Sequence, residues 1–279
     1  MTLSRRAVLD LLEAGGVRPS RALGQNFVTD ANTVRRIARL ARVGPGERVL
    51  EIGPGVGSLT LALAETGASV TAIEVDRHLM PVLSTVLDGT GVRLVHGDAM
   101  SADWADLLGP DPGWVLVANL PYNVATPLIA DLLEGVPAIS RMLVMVQREV
   151  GDRLVAGAGE RAYGAVSVKV AYWAEASVAG RVPAEVFYPK PKVESVLVSI
   201  VRRPHPAVDP REVDPAVLFE LVRAGFATRR KMLRRALAGV AGPEAFELAG
   251  VAPESRAEEL DVTAWGRLAA AVEVARARA

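Results

Sequence analysis

The sequence predicts an α/β protein, with a doubly wound, mainly parallel sheet in a larger domain and a small C-terminal domain made only of helices. Three observations support this fold class. Short apolar runs alternate with helical patterns up to about residue 200, a segment rich in proline and charge interrupts them, and only helical patterns follow. Such alternation is typical of βαβ units, in which crossover helices connect parallel strands.

Strands are predicted where short apolar runs end in glycine, acidic or amide residues. Two runs, 165–178 and 195–203, follow one another without a helical pattern between them, and we interpret them as an antiparallel pair at the sheet edge. The strands of the parallel part are predicted at residues 48–53, 69–76, 92–98, 114–120 and 141–147.

Helices are predicted between these strands, at residues 58–66, 78–87 and 127–135, because apolar residues recur there at three- and four-residue spacing. Residues 1–16 predict a further, short amphipathic helix, since Asp10 and Glu13 interrupt any signal-peptide pattern.

The boundary between the two domains is predicted at residues 202–215, which contain four prolines and many charges. Proline removes a backbone donor and is poorly accommodated inside helices and strands. We therefore predict a first domain with an N-terminal arm at residues 1–203, a linker at 204–215 and a helical domain at 216–279.

The composition excludes several kinds of site. The 279 residues include no cysteine, which excludes disulfides, thiolate metal sites and thiol catalysis. The three histidines are scattered without ligand spacing, so we predict no metal site. No apolar run reaches the roughly 18 residues of a membrane span, and we expect a cytoplasmic protein without a membrane partner.

Charge is balanced overall, with 32 basic and 32 acidic residues, but it is unevenly distributed. No acid occurs between positions 221 and 243, whereas residues 244–261 are mainly acidic. The basic segment fits either a surface for nucleic-acid phosphates or a solvated helix face that pairs in part with those acids. Its basic residues are Arg223, Arg229, Arg230, Lys231, Arg234 and Arg235.

A glycine-rich loop follows the first predicted strand, as Gly53-Pro54-Gly55-Val56-Gly57. Glycines at this point let the backbone approach a ligand and offer free amides at a helix N-terminus. The spacing differs from that of dinucleotide folds, and the loop contains no lysine to bind phosphate. A tight structural turn is the alternative interpretation.

Carboxylates end the next two strands, as Glu74 before Val75 and Asp76, and as Asp98 before Ala99. The carboxyl ends of parallel strands meet at the sheet edge where ligands bind. Glu74 is therefore predicted to accept hydrogen bonds from the ribose hydroxyls, and Asp98 from an adenine amino group; helix capping is the alternative role for each. A nucleoside site without a phosphate-binding lysine fits S-adenosylmethionine.

The fourth strand ends in Asn119-Leu120-Pro121-Tyr122, which resembles the Asn/Asp/Ser-Pro-Pro-Tyr/Phe signature of amino-group methyltransferases. The Asn119 side-chain oxygen and the Leu120 carbonyl can accept the two N–H bonds of an exocyclic amine, which localises its lone pair for in-line transfer. Tyr122 offers a face for base stacking. The alternative is a proline-capped strand with a packed tyrosine.

Taken in order, the motifs resemble those of the small-subunit ribosomal RNA adenine dimethyltransferases. The resemblance runs from about residue 20 to residue 235, through the segments 23–28, 51–60, 74–76, 97–99, 119–123, 186–195 and 226–233. It implies a Rossmann-like class I methyltransferase that uses S-adenosylmethionine to dimethylate N6 of two adjacent adenosines near the 3′ end of small-subunit rRNA. The implied partner is this rRNA within the assembling 30S particle, and we expect a monomer.

The resemblance also implies roles for single residues. Tyr122 and Phe187 would sandwich the adenine, which must be extruded from its stack, with a core position as the alternative for Phe187. The implied catalytic residues are Asn119, Leu120, Pro121, Tyr122 and Phe187. The implied cofactor-binding residues are Asn26, Val28, Gly53, Gly55, Gly57, Glu74, Val75, Asp98, Ala99 and Asn119. The basic residues of segment 221–243 would bind RNA.

Three other functions are compatible with parts of the sequence. The large-subunit rRNA methyltransferases of macrolide resistance usually have isoleucine where Leu120 stands and Gly-Lys-Gly in the loop, so the sequence favours the small-subunit enzymes. A non-catalytic ribosome-assembly factor on the same fold is disfavoured by the intact Glu74, Asp98, Asn119 and Tyr122. A small-molecule methyltransferase is disfavoured by the cationic helical segment.

Overall fold

The computed structural model describes residues 2–121 and 123–278. The chain forms two compact units, one of Met1–Gly151 with Ser177–Arg202 and the other of Asp152–Ala176 with Arg203–Ala279. No helix of the described residues is both long enough and apolar enough to cross a membrane.

A seven-stranded sheet forms the centre of the first unit and confirms the predicted doubly wound, mainly parallel architecture. Its strands are β2 (Arg48–Ile52), β3 (Ser69–Glu74), β4 (Arg93–His96), β5 (Trp114–Asn119), β6 (Ile139–Gln147), β7 (Ala174–Val182) and β9 (Ser195–Arg202). Their order is β4-β3-β2-β5-β6-β9-β7. The pairs from β4 to β6 are parallel, and β9 pairs antiparallel with β6.

Helices flank and connect these strands, and three of them lie where the apolar spacing predicts helices, at Ser58–Ala64, Met80–Val86 and Ala125–Gly135. The helices are α1 (Arg5–Ala14), α2 (Ala31–Ala41), α3 (Ser58–Ala64), α4 (Met80–Val86), α5 (Trp104–Leu108), α6 (Ala125–Gly135) and α7 (Arg148–Val155). Side chains that accept main-chain N–H groups begin several of them, such as Ser4 before α1 and Asp30 before α2. Such caps satisfy donors that have no partner within the helix.

A second, two-stranded sheet joins distant segments of the chain. Its strands are β1 (Phe27–Val28) and β8 (Phe187–Tyr188), which pair antiparallel with Phe27 opposite Tyr188 and Val28 opposite Phe187. The Thr29 N–H donates to the Val186 carbonyl at 2.7 Å and extends this connection. The N-terminal arm, residues 18–29, is therefore held by the segment whose sequence is VFYPKP.

The second unit contains the remaining helices around their own hydrophobic core, in which Trp265 is fully buried. These helices are α8 (Ala165–Trp173), α9 (Pro215–Ala227), α10 (Leu233–Ala236), α11 (Pro243–Ala249) and α12 (Val262–Arg278). Short 3₁₀ turns lie at Ala184–Val186 in the first unit and Ala257–Glu259 in the second.

The prediction of a strand over residues 165–178 was wrong for its first nine positions, which form α8. Valine and aromatic residues favour strands, but Val168 and Tyr172 lie four residues apart and both enter the second core. The Gly164 N–H donates to the Ser167 hydroxyl at 3.0 Å and begins the helix. Only the last part of the run is in a strand, β7.

The division into units differs from the predicted domains for residues 152–176, which were placed in the first domain. Gly159 donates a main-chain hydrogen bond to Glu258 at 2.7 Å, and Tyr163 Oη donates to the Leu260 carbonyl at 2.9 Å. The segment predicted as a linker contains no helix or strand from 204 to 214, yet Val213 is buried in the same core. Both segments are thus packed parts of the second unit.

Arg202 links α6 to β6 in the first unit. Its Nε donates to the Ile139 carbonyl at 2.9 Å, and Nη1 donates to the Leu133 carbonyl at 2.7 Å. Its Nη2 donates at 3.1 Å to both the Leu132 and Val136 carbonyls. One guanidinium therefore joins the end of α6 to the start of β6 through four carbonyl groups.

We expect Arg202→Lys to lower the free energy of unfolding by about 1–3 kcal/mol, because an ammonium cannot reach all of these carbonyls at once. Thermal unfolding followed by calorimetry measures the loss. Arg35→Lys, at an exposed position of α2, is the matched control. Equal midpoints for the two variants would contradict a structural role for Arg202.

Candidate active site

A cavity lies where the parallel strands end, at the carboxyl edge of β2, β3, β4 and β5. The N-terminal arm and the glycine loop form two of its walls. Most of the predicted site residues line it, namely Asn26, Val28, Gly53, Gly55, Glu74, Val75, Asp98, Ala99, Asn119 and Pro121. The parallel register thus brings together residues that are about 95 positions apart in the sequence, from Asn26 to Pro121.

The glycine loop lines part of the cavity, and the N–H groups of its three glycines are bound within the protein. The Gly53 N–H donates to the Ile73 carbonyl at 2.9 Å, and the Gly57 N–H donates to the Pro54 carbonyl at 2.9 Å. The Gly55 N–H donates to Glu74 Oε2 at 3.1 Å. These three N–H groups are therefore not free to bind a phosphate.

Gly55 shows why the loop needs glycine. It has a φ of 64°, and an added Cβ would lie 2.8 Å from the Phe27 ring. Gly57 was predicted to bind the cofactor, but it is not among the residues that line the cavity. It precedes α3 and faces the side chains of Leu83, Val86 and Leu87. Its role is therefore packing between the loop and α4.

Glu74 is held rigidly at the end of β3. The carboxylate is buried and accepts the Asp76 N–H at Oε1, 2.9 Å away, as well as that of Gly55 at Oε2. Burial raises the pKa of Glu74, and these main-chain donors oppose the rise. A carboxylate oxygen has capacity for a second hydrogen bond, so Glu74 can still accept from ligand hydroxyls.

Asp98 and two apolar side chains form the outer part of the cavity. Asp98 is exposed, and its Oδ1 accepts the Met100 N–H at 2.9 Å. Val75 and Met100 are 45% and 43% exposed, unusually high for large apolar side chains, and both line the cavity. Apolar surface beside a carboxylate is suited to a planar ring that carries an amino group. Met100 was not predicted from the sequence.

Glu51 is a further carboxyl group in the cavity wall that was not predicted. It lies near the end of β2, is 1% exposed, and lines the cavity. Burial raises its pKa to about 8, and the neighbouring Glu74 carboxylate contributes to the rise. Glu51 belongs to segment 51–60, which resembles the family, but the sequence of a predicted strand does not show which of its carboxyl groups faces a ligand.

The N-terminal arm is fastened over the cavity by Gln25. Its Nε2 donates to Asp76 Oδ2 at 2.8 Å, and its Oε1 accepts the Ser20 N–H at 2.8 Å. A second contact joins Asn123 Nδ2 to the Ala22 carbonyl at 3.3 Å. Gln25 lies in segment 23–28, which resembles the family, but its partner Asp76 is 51 residues away in the sequence. The contact between them could therefore not be predicted from the sequence.

Asn119 is oriented by the same arm. Its Nδ2 donates to the Asn26 carbonyl at 2.9 Å, which determines which end of the amide is nitrogen. Pro121 lines the cavity, whereas the Leu120 side chain is buried and its N–H donates to the Met145 carbonyl at 3.1 Å. Tyr122 lies outside the described residues, and its stacking role stays a prediction.

The structure does not place Phe187 at the cavity. The ring is fully buried among Val28, Ile37 and Leu197 and has no exposed face. Sandwiching a base would require the ring to leave this core, so its burial favours the core position that was the alternative for Phe187. Its pairing with Val28 in the small sheet instead anchors the arm.

The basic segment of the second unit divides into paired and exposed residues. Arg229 Nε lies 2.5 Å from Glu258 Oε2, and Arg234 Nη1 lies 3.2 Å from Glu254 Oε1, so these two arginines have structural partners. Arg223, Arg230, Lys231 and Arg235 are exposed. Within the described ranges, no three His, Cys, Asp or Glu side chains are grouped as a metal site would require.

The charge of the cavity fits S-adenosylmethionine. Its described lining contains the carboxyl groups of Glu51, Glu74 and Asp98 and no lysine, arginine or histidine. Such a wall suits a cationic nucleoside and repels phosphates. Glu74 would hold the ribose and Asp98 the adenine amine.

Comparison with known proteins identifies the family. The sequence model of the family described as ribosomal RNA adenine dimethylase matches residues 18–273. The chain belongs to this family. Members of the ribosomal RNA adenine dimethylase family use S-adenosylmethionine, and this protein is a methyltransferase of that type.

Relatives and solved structures agree with this membership. The chain is 49% identical to ribosomal RNA small subunit methyltransferase A of Kineococcus radiotolerans, over 96% of this chain and 91% of the relative. It is 50% identical to the protein of the same name from Streptomyces coelicolor, over 94% of each chain. The crystal structure of the 23S rRNA methyltransferase ErmE is similar at a TM-score of 0.67 and 26% identity, over 88% of this chain and 99% of that one.

A second solved structure supports the fold alone. It is a dimethyladenosine transferase from Plasmodium falciparum, with a TM-score of 0.70 at 22% identity, over 86% of this chain and 94% of the other.

We expect Gln25→Ala to raise the KM for S-adenosylmethionine by about 5–10-fold with little change in kcat, because about 1 kcal/mol of hydrogen bonding to the closed arm is lost. Steady-state methyl transfer measures both constants. Gln25→Glu should be worse, since it sets two carboxylates together, and adding Asp76→Asn should restore the contact with its donor reversed. An unchanged KM for Gln25→Ala would contradict the role of the arm.

Proposed function

We propose that this protein transfers methyl groups from S-adenosylmethionine to the exocyclic N6 of two adjacent adenosines near the 3′ end of small-subunit rRNA. Membership of the ribosomal RNA adenine dimethylase family supports the reaction. The names of the relatives that are 49% and 50% identical support the small subunit as the source of the RNA.

The observation that carries this proposal is the orientation of Asn119. Because its Nδ2 is bound to the Asn26 carbonyl, Oδ1 is the atom of the amide that can accept from a substrate amine. Asn119 ends β5 and lines the same cavity as Glu74 and Asp98. One amide thus connects the cofactor site with the site of the target nitrogen.

The main requirement of methyl transfer is that the protein positions the adenine N6 in line with the methyl group. S-adenosylmethionine, when bound, supplies the methyl group from its sulfonium sulfur. The adenine N6 lone pair is delocalised into the ring, and hydrogen bonds from N6 to Asn119 Oδ1 and to the Leu120 carbonyl localise it on nitrogen. The new N–C bond forms as the C–S bond breaks, and N6 then loses a proton to water. Alignment of this kind supplies much of the acceleration in such reactions.

The target adenine must leave its stack to reach Asn119. We assign stacking on the extruded base to Tyr122, and we assign Phe187 to anchoring the arm. The exposed basic residues Arg223, Arg230, Lys231 and Arg235 are proposed to bind RNA phosphates, without reading sequence.

The setting of the reaction completes the proposal. The protein acts as a monomer in the cytoplasm on rRNA within the assembling 30S particle, without a metal ion. Recognition of an assembled particle lets RNA shape contribute to specificity. The large-subunit alternative is disfavoured, because identity to ErmE is 26% against 49% and 50% for the small-subunit relatives.

Incubation with radiolabelled S-adenosylmethionine and separated ribosomal subunits tests the function. We expect label in small-subunit rRNA as N6,N6-dimethyladenosine. Label in large subunits, or in no RNA from either subunit, would overturn the proposal.

We expect Asn119→Ala to lower kcat by about 10²–10³-fold, as for the loss of one oriented polar group in an active site. Cofactor binding should weaken much less, because Glu74 and Asp98 remain. Asn32→Ala removes an exposed amide on α2 and is the control. Turnover of Asn119→Ala at the control rate would refute the role of Asn119.

We expect the double variant Arg230→Ala/Arg235→Ala to bind small-subunit RNA more weakly and to reduce the slope of log affinity against log salt by about 1 per residue removed. Filter binding over a series of salt concentrations measures the slope. The double variant Arg35→Ala/Arg39→Ala, which removes two exposed charges from α2 of the first unit, is the charge-matched control. An unchanged slope would show that these two residues are only a solvated helix face.

A further inference from the structure

Ser58 places a buried hydroxyl group in the wall of the cavity. It is the first residue of α3, follows the glycine loop directly and is 4% exposed. Among the described residues its Oγ has no hydrogen-bond partner, although the residue lines the cavity. A buried polar atom without a partner is unfavourable, so its position in the wall of a ligand cavity indicates that a ligand supplies the partner.

The amide side chains of the cavity wall, unlike Ser58, already donate within the protein. Gln25 donates to Asp76 at 2.8 Å, Asn26 to the Gly24 carbonyl at 3.1 Å, Asn119 to the Asn26 carbonyl at 2.9 Å and Asn123 to the Ala22 carbonyl at 3.3 Å. The described lining contains no lysine, arginine or histidine. Of its amide and hydroxyl side chains, Ser58 is therefore the one whose donor is still without a partner.

The order of the strands indicates which part of the cofactor lies beside Ser58. Asp98 follows β4 and is assigned to the adenine amine, and Glu74 ends β3 and is assigned to the ribose. The next strand in the order β4-β3-β2 is β2, and the loop after β2 leads to Ser58. A nucleoside that lies across β4 and β3 therefore directs its amino-acid end toward this loop.

The amino-acid end of S-adenosylmethionine carries the one anionic group of the cofactor, its α-carboxylate. Glu74 and Asp98 would repel this anion, because they carry the same charge. A carboxylate can only accept hydrogen bonds, and a hydroxyl group that donates to it forms a charge-assisted bond. Ser58 thus has a donor without a partner where the cofactor has an acceptor without one.

We infer that the Ser58 hydroxyl donates a hydrogen bond to the α-carboxylate of the cofactor and so favours S-adenosylmethionine over its decarboxylated form. A ligand without the carboxylate would leave the buried hydroxyl unpaired, and a site built to bind a polar group rejects analogues that lack it for this reason. The inference rests on the cofactor assigned above but not on the RNA substrate. A binding measurement without RNA therefore tests it separately from the proposed function.

Calorimetric titration of the full chain with S-adenosylmethionine and with decarboxylated S-adenosylmethionine measures this contact. The second ligand keeps the adenosine, the sulfonium and the amine, and lacks only the carboxylate. We expect Ser58→Ala to weaken binding of S-adenosylmethionine about tenfold, as for the loss of a hydrogen bond to a charged group. Its affinity for the decarboxylated ligand should change by less than about twofold.

Two results of this titration would overturn the inference. Unchanged affinity of Ser58→Ala for S-adenosylmethionine would show that the hydroxyl does not bind the cofactor. An equal loss of affinity for both ligands would show that the carboxylate is not its partner. Ser84→Ala, which removes an exposed hydroxyl from α4 of the same unit, is the matched control and should bind both ligands like the wild type.

Thermal unfolding separates this binding role from a structural one. Ser58→Ala removes a buried hydroxyl that has no partner, so the cofactor-free variant should unfold at the same temperature as the wild type or at a higher one. S-adenosylhomocysteine, which keeps the carboxylate, should raise the midpoint of the wild type more than that of the variant. A lower midpoint for cofactor-free Ser58→Ala would show that the hydroxyl stabilises the fold and would contradict the inference.

Discussion

The parallel pairing of β2, β3, β4 and β5 is the constraint on which the site depends. Parallel strands in register end at one edge, and their last residues differ in chemistry from the strands themselves. A shift of one residue in a strand would turn every one of its side chains to the opposite face of the sheet. The apolar cores on its two faces therefore also fix which polar side chains reach the cavity.

Both the acidic groups that line the cavity and the absence of basic groups from its described lining favour particular ligands. Its described lining includes three carboxyl groups and no basic side chain, and the N–H groups of Gly53, Gly55 and Gly57 are bound within the protein. These carboxylates would repel the phosphates of a nucleotide, whereas they complement a nucleoside with a cationic end. The arm adds a physical connection, because the Asn26 carbonyl that borders the cofactor cavity also orients Asn119.

Much of this site could be predicted from the sequence, because its residues follow recognisable strand ends. The end of a strand can be recognised from the residues next to it in the sequence. Glu74, Asp98 and Asn119 could therefore be located at strand ends from the sequence alone. Three other features could not be located in this way, because they depend on residues far apart in the chain. They are the pairing of Val28 with Phe187, the contact of Gln25 with Asp76 and the burial of Phe187. The helix at Ala165–Trp173 escaped prediction for a different reason, since its core contacts outweigh the strand preference of its valines and aromatic residues.

A crystal structure of the protein with S-adenosylhomocysteine tests the central claim most directly, namely that Glu74 and Asp98 bind the nucleoside part of the cofactor. The account predicts the adenine amine at Asp98 and the ribose hydroxyls at Glu74. It also predicts that Asn119 keeps its bond to the Asn26 carbonyl. A nucleoside bound elsewhere, or an Asn119 side chain released from Asn26, would contradict it.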